Sequence, residues 1–80
     1  MFFNFDRITF DPKILAGQAC IRGMRISVSL IVNLIAHGKS MAEILEEYPD
    51  LEMIDIQQAL EYAAWLTREQ VYFEPTGQIK

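Results

Sequence analysis

The segment from Val28 to Ala36 constrains the fold most, because a helix formed by it is apolar on nearly every side. Ser29 and Asn33 recur four residues apart and, together with His37, form a single narrow polar stripe. A helix with so little polar surface is typically buried on nearly all sides. We therefore expect the hairpin and the other helices, or else a partner subunit, to pack around it.

Capping residues delimit this helix and introduce a second one. Ser27 is an N-cap, and Gly38 stands at the C-terminal position that favours a left-handed backbone. Ser40 and Glu43 have the spacing of a capping box, in which each side chain accepts a hydrogen bond from the other residue's backbone amide. The second helix should end before Pro49, since proline cannot continue a helix.

A third helix is predicted from about Met53 to about Arg68. The residues predicted to face the core are mostly apolar and recur at helical spacing: Met53, Ile56, Ala59, Leu60, Ala63 and Leu66 or Thr67. Gln57, Gln58 and Glu61 are expected to face outwards. Glutamine can read adenine in the major groove of DNA, but Asp55 and Glu61 would lie near the phosphates and repel them. Any DNA binding by this helix should therefore be weak.

A short β-hairpin is predicted ahead of the helices. Residues 7–10 and 19–26 alternate polar and apolar side chains, as strands do. Asp11-Pro12 is a turn signal, and Gly23 indicates a tight turn or bulge within the second strand. The predicted fold is mainly α, with this hairpin followed by a three-helix bundle. The spacing is equally typical of a helix-turn-helix core and of a plain three-helix bundle.

The chain of 80 residues is long enough for one domain, predicted over residues 1–68 with an extended tail over residues 69–80. A domain of this size is marginally stable alone, and its single cysteine excludes an internal disulfide. Because 51% of the residues are apolar, we expect a homodimer or a higher oligomer. Aromatic residues near the N-terminus add to this expectation: Phe2, Phe3 and Phe5.

The sequence also predicts a cellular location. No segment resembles a signal peptide, and none reaches the roughly 20 apolar residues that span a bilayer. The lone cysteine is compatible with a reducing compartment. We therefore predict a cytoplasmic protein that does not enter a membrane.

Charge is distributed unevenly between the two halves of the chain. Residues 1–40 have five Lys or Arg against two Asp, a net charge of +3, and residues 41–80 have two against nine carboxylates, a net charge of −7. The basic half supplies candidate contacts to a partner protein or nucleic acid: Arg7, Lys13, Arg22, Arg25 and Lys39. In the tail, Tyr72 and Phe73 are predicted to contact a partner or a second subunit, with folding back over the third helix as the equal alternative.

No residue pattern indicates catalysis, a metal site or a cofactor. His37 ends a helix without an identifiable nucleophile or carboxylate partner, so it is interpreted as a helix-terminal residue. Cys20 is interpreted as a buried structural thiol. The carboxylates of the second helix are spread along it, whereas ligands of hard cations converge on a loop. The chain is accordingly predicted not to be an enzyme.

The most specific block of the sequence is Ile21-Arg22-Gly23-x-Arg25-Ile26-x-Val28. The other blocks lie on either side of it: Arg7–Pro12, Gly17, Cys20, Gly38-Lys39-Ser40, Ile44-Leu45, Tyr48-Pro49, Leu51, Asp55-Ile56, Ala59-Leu60 and Tyr62-Ala63. Over about residues 7–64 this series resembles a bacterial family catalogued as domain of unknown function 433 (DUF433). The chain departs from the usual family pattern at Gln18-Ala19, Met24 and Glu52.

The resemblance implies a helix-turn-helix-like, homeodomain-like three-helix fold with an N-terminal hairpin. It also implies an antitoxin-like role, in which the protein neutralises a PIN-like ribonuclease toxin, with binding to its own operator as a further expectation. A stand-alone helix-turn-helix DNA-binding regulator is the alternative, and a small enzyme is the third hypothesis. The acidic second half favours the first, because it suits a basic nuclease better than DNA.

Overall fold

The computed structural model describes residues 5–67 of the chain. Its strands are β1 (Ile8–Phe10) and β2 (Ala19–Ile21), and its helices are α1 (Val28–Ala36), α2 (Met41–Glu47) and α3 (Met53–Leu66). The predicted fold class, a mainly α domain with an N-terminal hairpin, is confirmed. Tyr72 and Phe73 of the predicted tail lie outside the described residues, as do Phe2 and Phe3.

The hairpin is antiparallel, and Ile8 of β1 lies opposite Ile21 of β2. The predicted extension of the second strand to residue 26 is wrong, because the chain turns at Arg22 and Gly23. Their φ angles are +46° and +73°, in the left-handed region that glycine adopts easily and arginine rarely. The predicted tight turn at Gly23 is thereby confirmed. The same turn gives Arg22 its left-handed backbone conformation.

The capping residues start the first two helices as predicted. Ser27 Oγ accepts a hydrogen bond from the Leu30 backbone amide at 2.9 Å. In the capping box, the Glu43 amide donates to Ser40 Oγ at 3.1 Å, and the Ser40 amide donates to Glu43 Oε1 at 2.8 Å. After α1, Gly38 has a φ of +94°, which confirms the predicted end of this helix.

The hydrophobic core lies between the hairpin and the three helices. Its buried members are Ile8, Ile21, Val28, Ile31, Ile44, Leu51, Ile56 and Ala59. Of the residues in α1, only Val28 and Ile31 are buried, while the other large apolar side chains are half-buried: Leu30, Val32, Leu34 and Ile35. Within residues 5–67, the hairpin and the other helices therefore leave part of the α1 surface uncovered. Its coverage by a partner subunit, the other expectation for α1, stays a prediction.

α3 faces the core with a different stripe from the predicted one. Ile56 and Ala59 of the predicted stripe are buried, and Leu60 and Ala63 are half-buried. Met53 and Leu66 are 44% and 55% exposed. Asp55 and Gln58 are buried in their place. The orientation of α3 thus follows the polar partners of these two residues as well as its apolar side chains.

The helices of the described region are short. The longest of α1, α2 and α3 has 14 residues, whereas about 20 are needed to span a bilayer. Within residues 5–67, no helix is long and apolar enough to cross a membrane.

Candidate functional site

The carboxylate of Asp55 is the most extensively hydrogen-bonded group of the site, and its side chain is completely buried. Arg7 Nη1 donates to Asp55 Oδ1 at 2.9 Å. Arg22 donates from Nε to Oδ1 at 3.1 Å and from Nη2 to Oδ2 at 2.8 Å. The backbone amide of Glu52 donates to Oδ2 at 2.8 Å, so each carboxylate oxygen accepts two hydrogen bonds. The group formed by Arg7, Arg22 and Asp55 is termed the arginine–aspartate cluster.

The hairpin brings the two arginines of this cluster together. Arg7 directly precedes β1 and Arg22 directly follows β2, at the end of the hairpin where Ile8 lies opposite Ile21. The Arg22 amide donates to the Arg7 carbonyl oxygen at 2.8 Å, which fixes the two backbones side by side. Asp55 lies in the first turn of α3, where the helix dipole stabilises a negative charge.

The arginines keep Asp55 ionised. Burial by itself raises the pKa of this carboxyl, but hydrogen bonds from Arg22, Arg7 and the Glu52 amide outweigh burial and lower the pKa to about 2. The hydrogen bonds to Asp55 in turn raise the pKa of both guanidinium groups. A carboxylate with this pKa and four hydrogen bonds is poorly suited to general acid–base catalysis at neutral pH.

Gln58 connects α3 to the residues that precede β1. Its Oε1 accepts a hydrogen bond from the Arg7 backbone amide at 2.8 Å, and its Nε2 donates to Asp6 Oδ1 at 2.9 Å. Both bonds join positions far apart in the sequence, so Gln58 supplements the arginine–aspartate cluster in holding the hairpin against α3.

Two residues of α3 that were predicted on its surface are therefore internal. The interpretation of Asp55 as a carboxylate near phosphates is wrong, and so is the outward orientation of Gln58, which is 8% exposed. Gln57 and Glu61 are exposed as predicted. The charge asymmetry between the two halves was the available signal, because a basic half and an acidic half of one chain can also pair with each other.

The other three candidate cations lie on separate segments. Lys13 is exposed in the connection between the strands, and Arg25 is exposed in the turn before α1. Lys39 Nζ lies 2.9 Å from Glu47 Oε2, and this hydrogen bond raises the pKa of the lysine. The structure thus joins Arg7 to Arg22 and does not bring the five cations into one basic patch. Their contacts with a partner stay a prediction.

His37 and Cys20 both occupy positions that indicate structural roles. His37 Nδ1 is 2.7 Å from the Asn33 carbonyl oxygen, to which the ring donates because a carbonyl only accepts. Cys20 is 2% exposed, which confirms the prediction of a buried thiol. Over residues 5–67, no group of three or more His, Cys, Asp or Glu side chains is arranged to hold a metal ion.

An open groove of about 430 Å³ lies between α1 and the end of α3. Val28 and Val32 line it from α1, and Tyr62, Ala63 and Leu66 line it from α3. The rest of the lining is Ala19 of β2 and four polar residues: Gln18, Ser29, Asn33 and Thr67. The volume is within the range of ligand-binding clefts, and the predominantly apolar walls suit an apolar occupant.

Tyr62, which lines this groove, belongs to a group of aromatic residues that joins α3 to β1 and to the segment before it. The Phe5 ring meets the Tyr62 ring edge-on with centroids 5.3 Å apart, and Phe10 meets Tyr62 at 6.2 Å. Tyr62 and Trp65 stack at 6.1 Å. Phe10 belongs to β1, and Phe5 also meets Trp65 at 5.9 Å, so these contacts of α3 depend on the tertiary fold.

Comparison with known proteins assigns the chain to a family. A family model described as "Protein of unknown function (DUF433)" matches residues 8–63. The chain belongs to this family. It is similar to the crystal structure of a DUF433 member from Anabaena variabilis, with a TM-score of 0.70 and 34% sequence identity. The similarity covers 80% of this chain and 62% of that one, so this chain spans less than two thirds of the solved relative. No curated protein matches the chain.

The DUF433 match includes only part of the two features described above. Arg22 and Asp55 fall inside it, and Arg7 directly precedes it. The groove begins within the match but extends past it, because its lining includes Leu66 and Thr67. The core of the arginine–aspartate cluster therefore belongs to the matched part of the chain, whereas one end of the groove does not.

Proposed function

We propose that this DUF433 protein is an antitoxin-like binding protein that neutralises a PIN-like ribonuclease toxin. The observation that carries the proposal is the acidic surface of α2, α3 and the connection between them. Every charged side chain between residues 41 and 67 is a carboxylate, and the exposed ones are Glu43, Glu46, Glu47, Asp50, Glu52 and Glu61. Glu47 pairs with Lys39 and Glu52 pairs with Arg7, and the other four form no ion pair within residues 5–67. A ribonuclease attracts RNA with positive charge around its active site, so an acidic protein surface is complementary to it.

Exposed apolar side chains accompany these carboxylates at the start of α3. Met53 and Ile54 are 44% and 46% exposed and directly follow the exposed Glu52. Apolar contacts surrounded by polar and charged residues are the usual composition of a protein–protein interface. This surface therefore supports a protein partner, whose active site the chain would cover.

Operator binding is the second part of the proposal, and it depends on cations outside α3. Arg7 and Arg22 already donate to Asp55, and Lys39 pairs with Glu47. A protein with few phosphate contacts binds DNA weakly, and because those contacts are electrostatic the binding weakens further as the salt concentration rises. The alternative function, a stand-alone helix-turn-helix regulator, would have to rely on the same few cations.

Inhibition of a ribonuclease tests the first part directly. The tagged chain would be used to recover its partner from the native host, and the ribonuclease activity of the purified partner would be titrated with the chain. We expect loss of activity at a fixed stoichiometric ratio. A partner without ribonuclease activity, or an activity that the chain does not change, would contradict the proposal.

Charge-reversal variants separate protein binding from DNA binding. Glu46→Lys combined with Glu61→Lys should weaken partner binding by about tenfold or more, because it removes complementary charge. The matched control, Lys13→Glu combined with Arg25→Glu, should leave partner binding unchanged and abolish operator binding. All four side chains are exposed, so the melting temperatures should agree with that of the wild type. Loss of DNA binding in the control, without an effect of the first pair on any protein partner, would favour the regulator.

A further inference from the structure

The groove between α1 and the end of α3 is open and apolar within the described part of the chain. Leu66 is 55% exposed on one side of it, and Val32, Tyr62 and Ala63 are half-buried. None of the described side chains that line the groove is charged. Apolar surface of this kind gains free energy when an apolar segment covers it.

The chain leaves α3 beside this groove. Leu66 and Thr67, the last two described residues, both line it. Thr67 Oγ1 and the Thr67 backbone amide donate to the Ala64 carbonyl oxygen at 3.0 Å and 3.1 Å, which satisfies a free carbonyl at the helix end. The segment that follows Thr67 therefore starts within reach of the groove.

We propose that Val71-Tyr72-Phe73 of the same chain binds in this groove. Residues 68–70 form the connection, which reaches about 10 Å when extended, and connections of this length are common between packed elements. In an extended segment, Val71 and Phe73 point to one side and Tyr72 to the other. Val71 and Phe73 insert between α1 and α3, and Tyr72 faces away from the groove.

The tether favours the chain's own segment over that of a second copy. A short linker gives a tethered segment an effective concentration in the millimolar range, which exceeds the concentration of a second copy in ordinary solutions. Glu69 and Glu74 lie on either side of the apolar segment. Because the groove lining contains no carboxylate, it does not repel these two side chains. The inference does not rest on the proposed antitoxin function, because it concerns contacts within one chain.

Isotope-filtered nuclear Overhauser measurements on the full chain identify the occupant. Carbon-13-labelled and unlabelled chains would be mixed in equal amounts, which distinguishes contacts within a molecule from contacts between molecules. We expect Overhauser effects between the Phe73 ring and the methyl groups of Val32 and Leu66 within one molecule. Effects seen only between molecules would assign the groove to a second copy, and the absence of any effect would leave it without this segment. Either result overturns the proposal.

Thiol accessibility tests the same contact with matched variants. Ser29 lines the groove and is exposed in the described chain, whereas the native thiol of Cys20 is 2% exposed. We expect the alkylation rate of a Ser29→Cys chain to rise several-fold when Val71→Ser and Phe73→Ser are added. The control, Tyr72→Ser, should change the rate little. Equal rates in all three chains, at equal melting temperatures, would overturn the proposal.

Discussion

At the start of α3, Asp55 is completely buried and each of its carboxylate oxygens accepts two hydrogen bonds. At the end of the same helix, Leu66 is 55% exposed and borders an open apolar groove. The first end fixes segments that are distant in sequence, since Arg7 and Arg22 flank the hairpin. The second end carries apolar surface that the described residues do not cover.

This difference separates maintenance of the fold from binding. The hydrogen-bonding capacity of Asp55 is already used, so an added ligand would have to break bonds that stabilise the hairpin. Apolar surface at the groove and on the start of α3 gains free energy when a segment or a partner covers it. Basic character alone ranks Arg7 and Arg22 as binding residues, but the structure gives both of them an internal partner.

The largest expected effect is that of Asp55→Ala at the start of α3. Removing the carboxylate leaves two guanidinium groups side by side without their shared partner, and the free energy of unfolding should fall by about 3 kcal/mol. For a chain of this length the melting temperature should fall by roughly 10–20 °C. Thermal unfolding followed by circular dichroism measures the change.

The control for this variant is Glu61→Ala, which removes an exposed carboxylate from the same helix. Its effect should stay within about 0.5 kcal/mol, as for other surface substitutions. If the two variants unfold at the same temperature, the buried carboxylate of Asp55 contributes no more to the free energy of unfolding than the exposed one of Glu61. That result would contradict the contrast between the two ends of α3.

Acidic pH should lower the stability of the folded chain by protonating the same carboxylate, that of Asp55. The pKa of Asp55 is lowered from 3.8 to about 2 in the folded chain, so its contribution is fully present above about pH 4. As the pH falls towards 2, this contribution of about 2 kcal/mol should be lost. Denaturant unfolding at several pH values would measure it. An Asp55→Asn chain lacks this carboxyl, so an equally steep loss of its stability between pH 4 and 2 would assign the effect to other groups.

Replacement of each arginine by lysine compares the contributions of Arg7 and Arg22 to the stability of the cluster. Arg22 donates to both oxygens of Asp55 from two nitrogens, which a single ammonium group cannot reproduce. Arg7 reaches Asp55 from one nitrogen only. Arg22→Lys should therefore lower the melting temperature by several degrees and Arg7→Lys by less. A larger fall of the melting temperature in Arg7→Lys than in Arg22→Lys would mean that the two-nitrogen contact of Arg22 does not contribute most to the stability of the cluster.

Local signals account for the parts of the fold that the sequence predicted. Ser27, Ser40 and Glu43 act on backbone amides within three residues of themselves, so their roles can be recognised from spacing alone. Gly38 and Gly23 mark positive φ angles for the same local reason. The order of the elements and most of their bounds follow from such positions.

The buried state of Asp55 could not be predicted in this way. It depends on Arg7 and Arg22, which lie far away in the sequence, and on the left-handed backbone of Arg22, which is unusual for arginine. The open groove escaped the prediction for a related reason. The apolar pattern of α1 predicts burial on nearly all sides, but it does not state which sides the neighbouring elements reach.

The smallest expected effect on stability is that of breaking the ion pair between Lys39 and Glu47. This change tests whether the presence of opposite charges alone explains the stabilisation by the arginine–aspartate cluster. The Nζ–Oε2 distance is 2.9 Å, the same as that between Arg7 and Asp55, but the two side chains are 33% and 49% exposed. Water and salt screen such a pair, so Lys39→Gln should leave the melting temperature nearly unchanged. In about 1 M NaCl the difference should vanish, while most of the Asp55→Ala difference should persist because Asp55 is buried. A loss in Lys39→Gln as large as that in Arg22→Lys would mean that the distance between charges, and not their burial, sets the strength of the cluster.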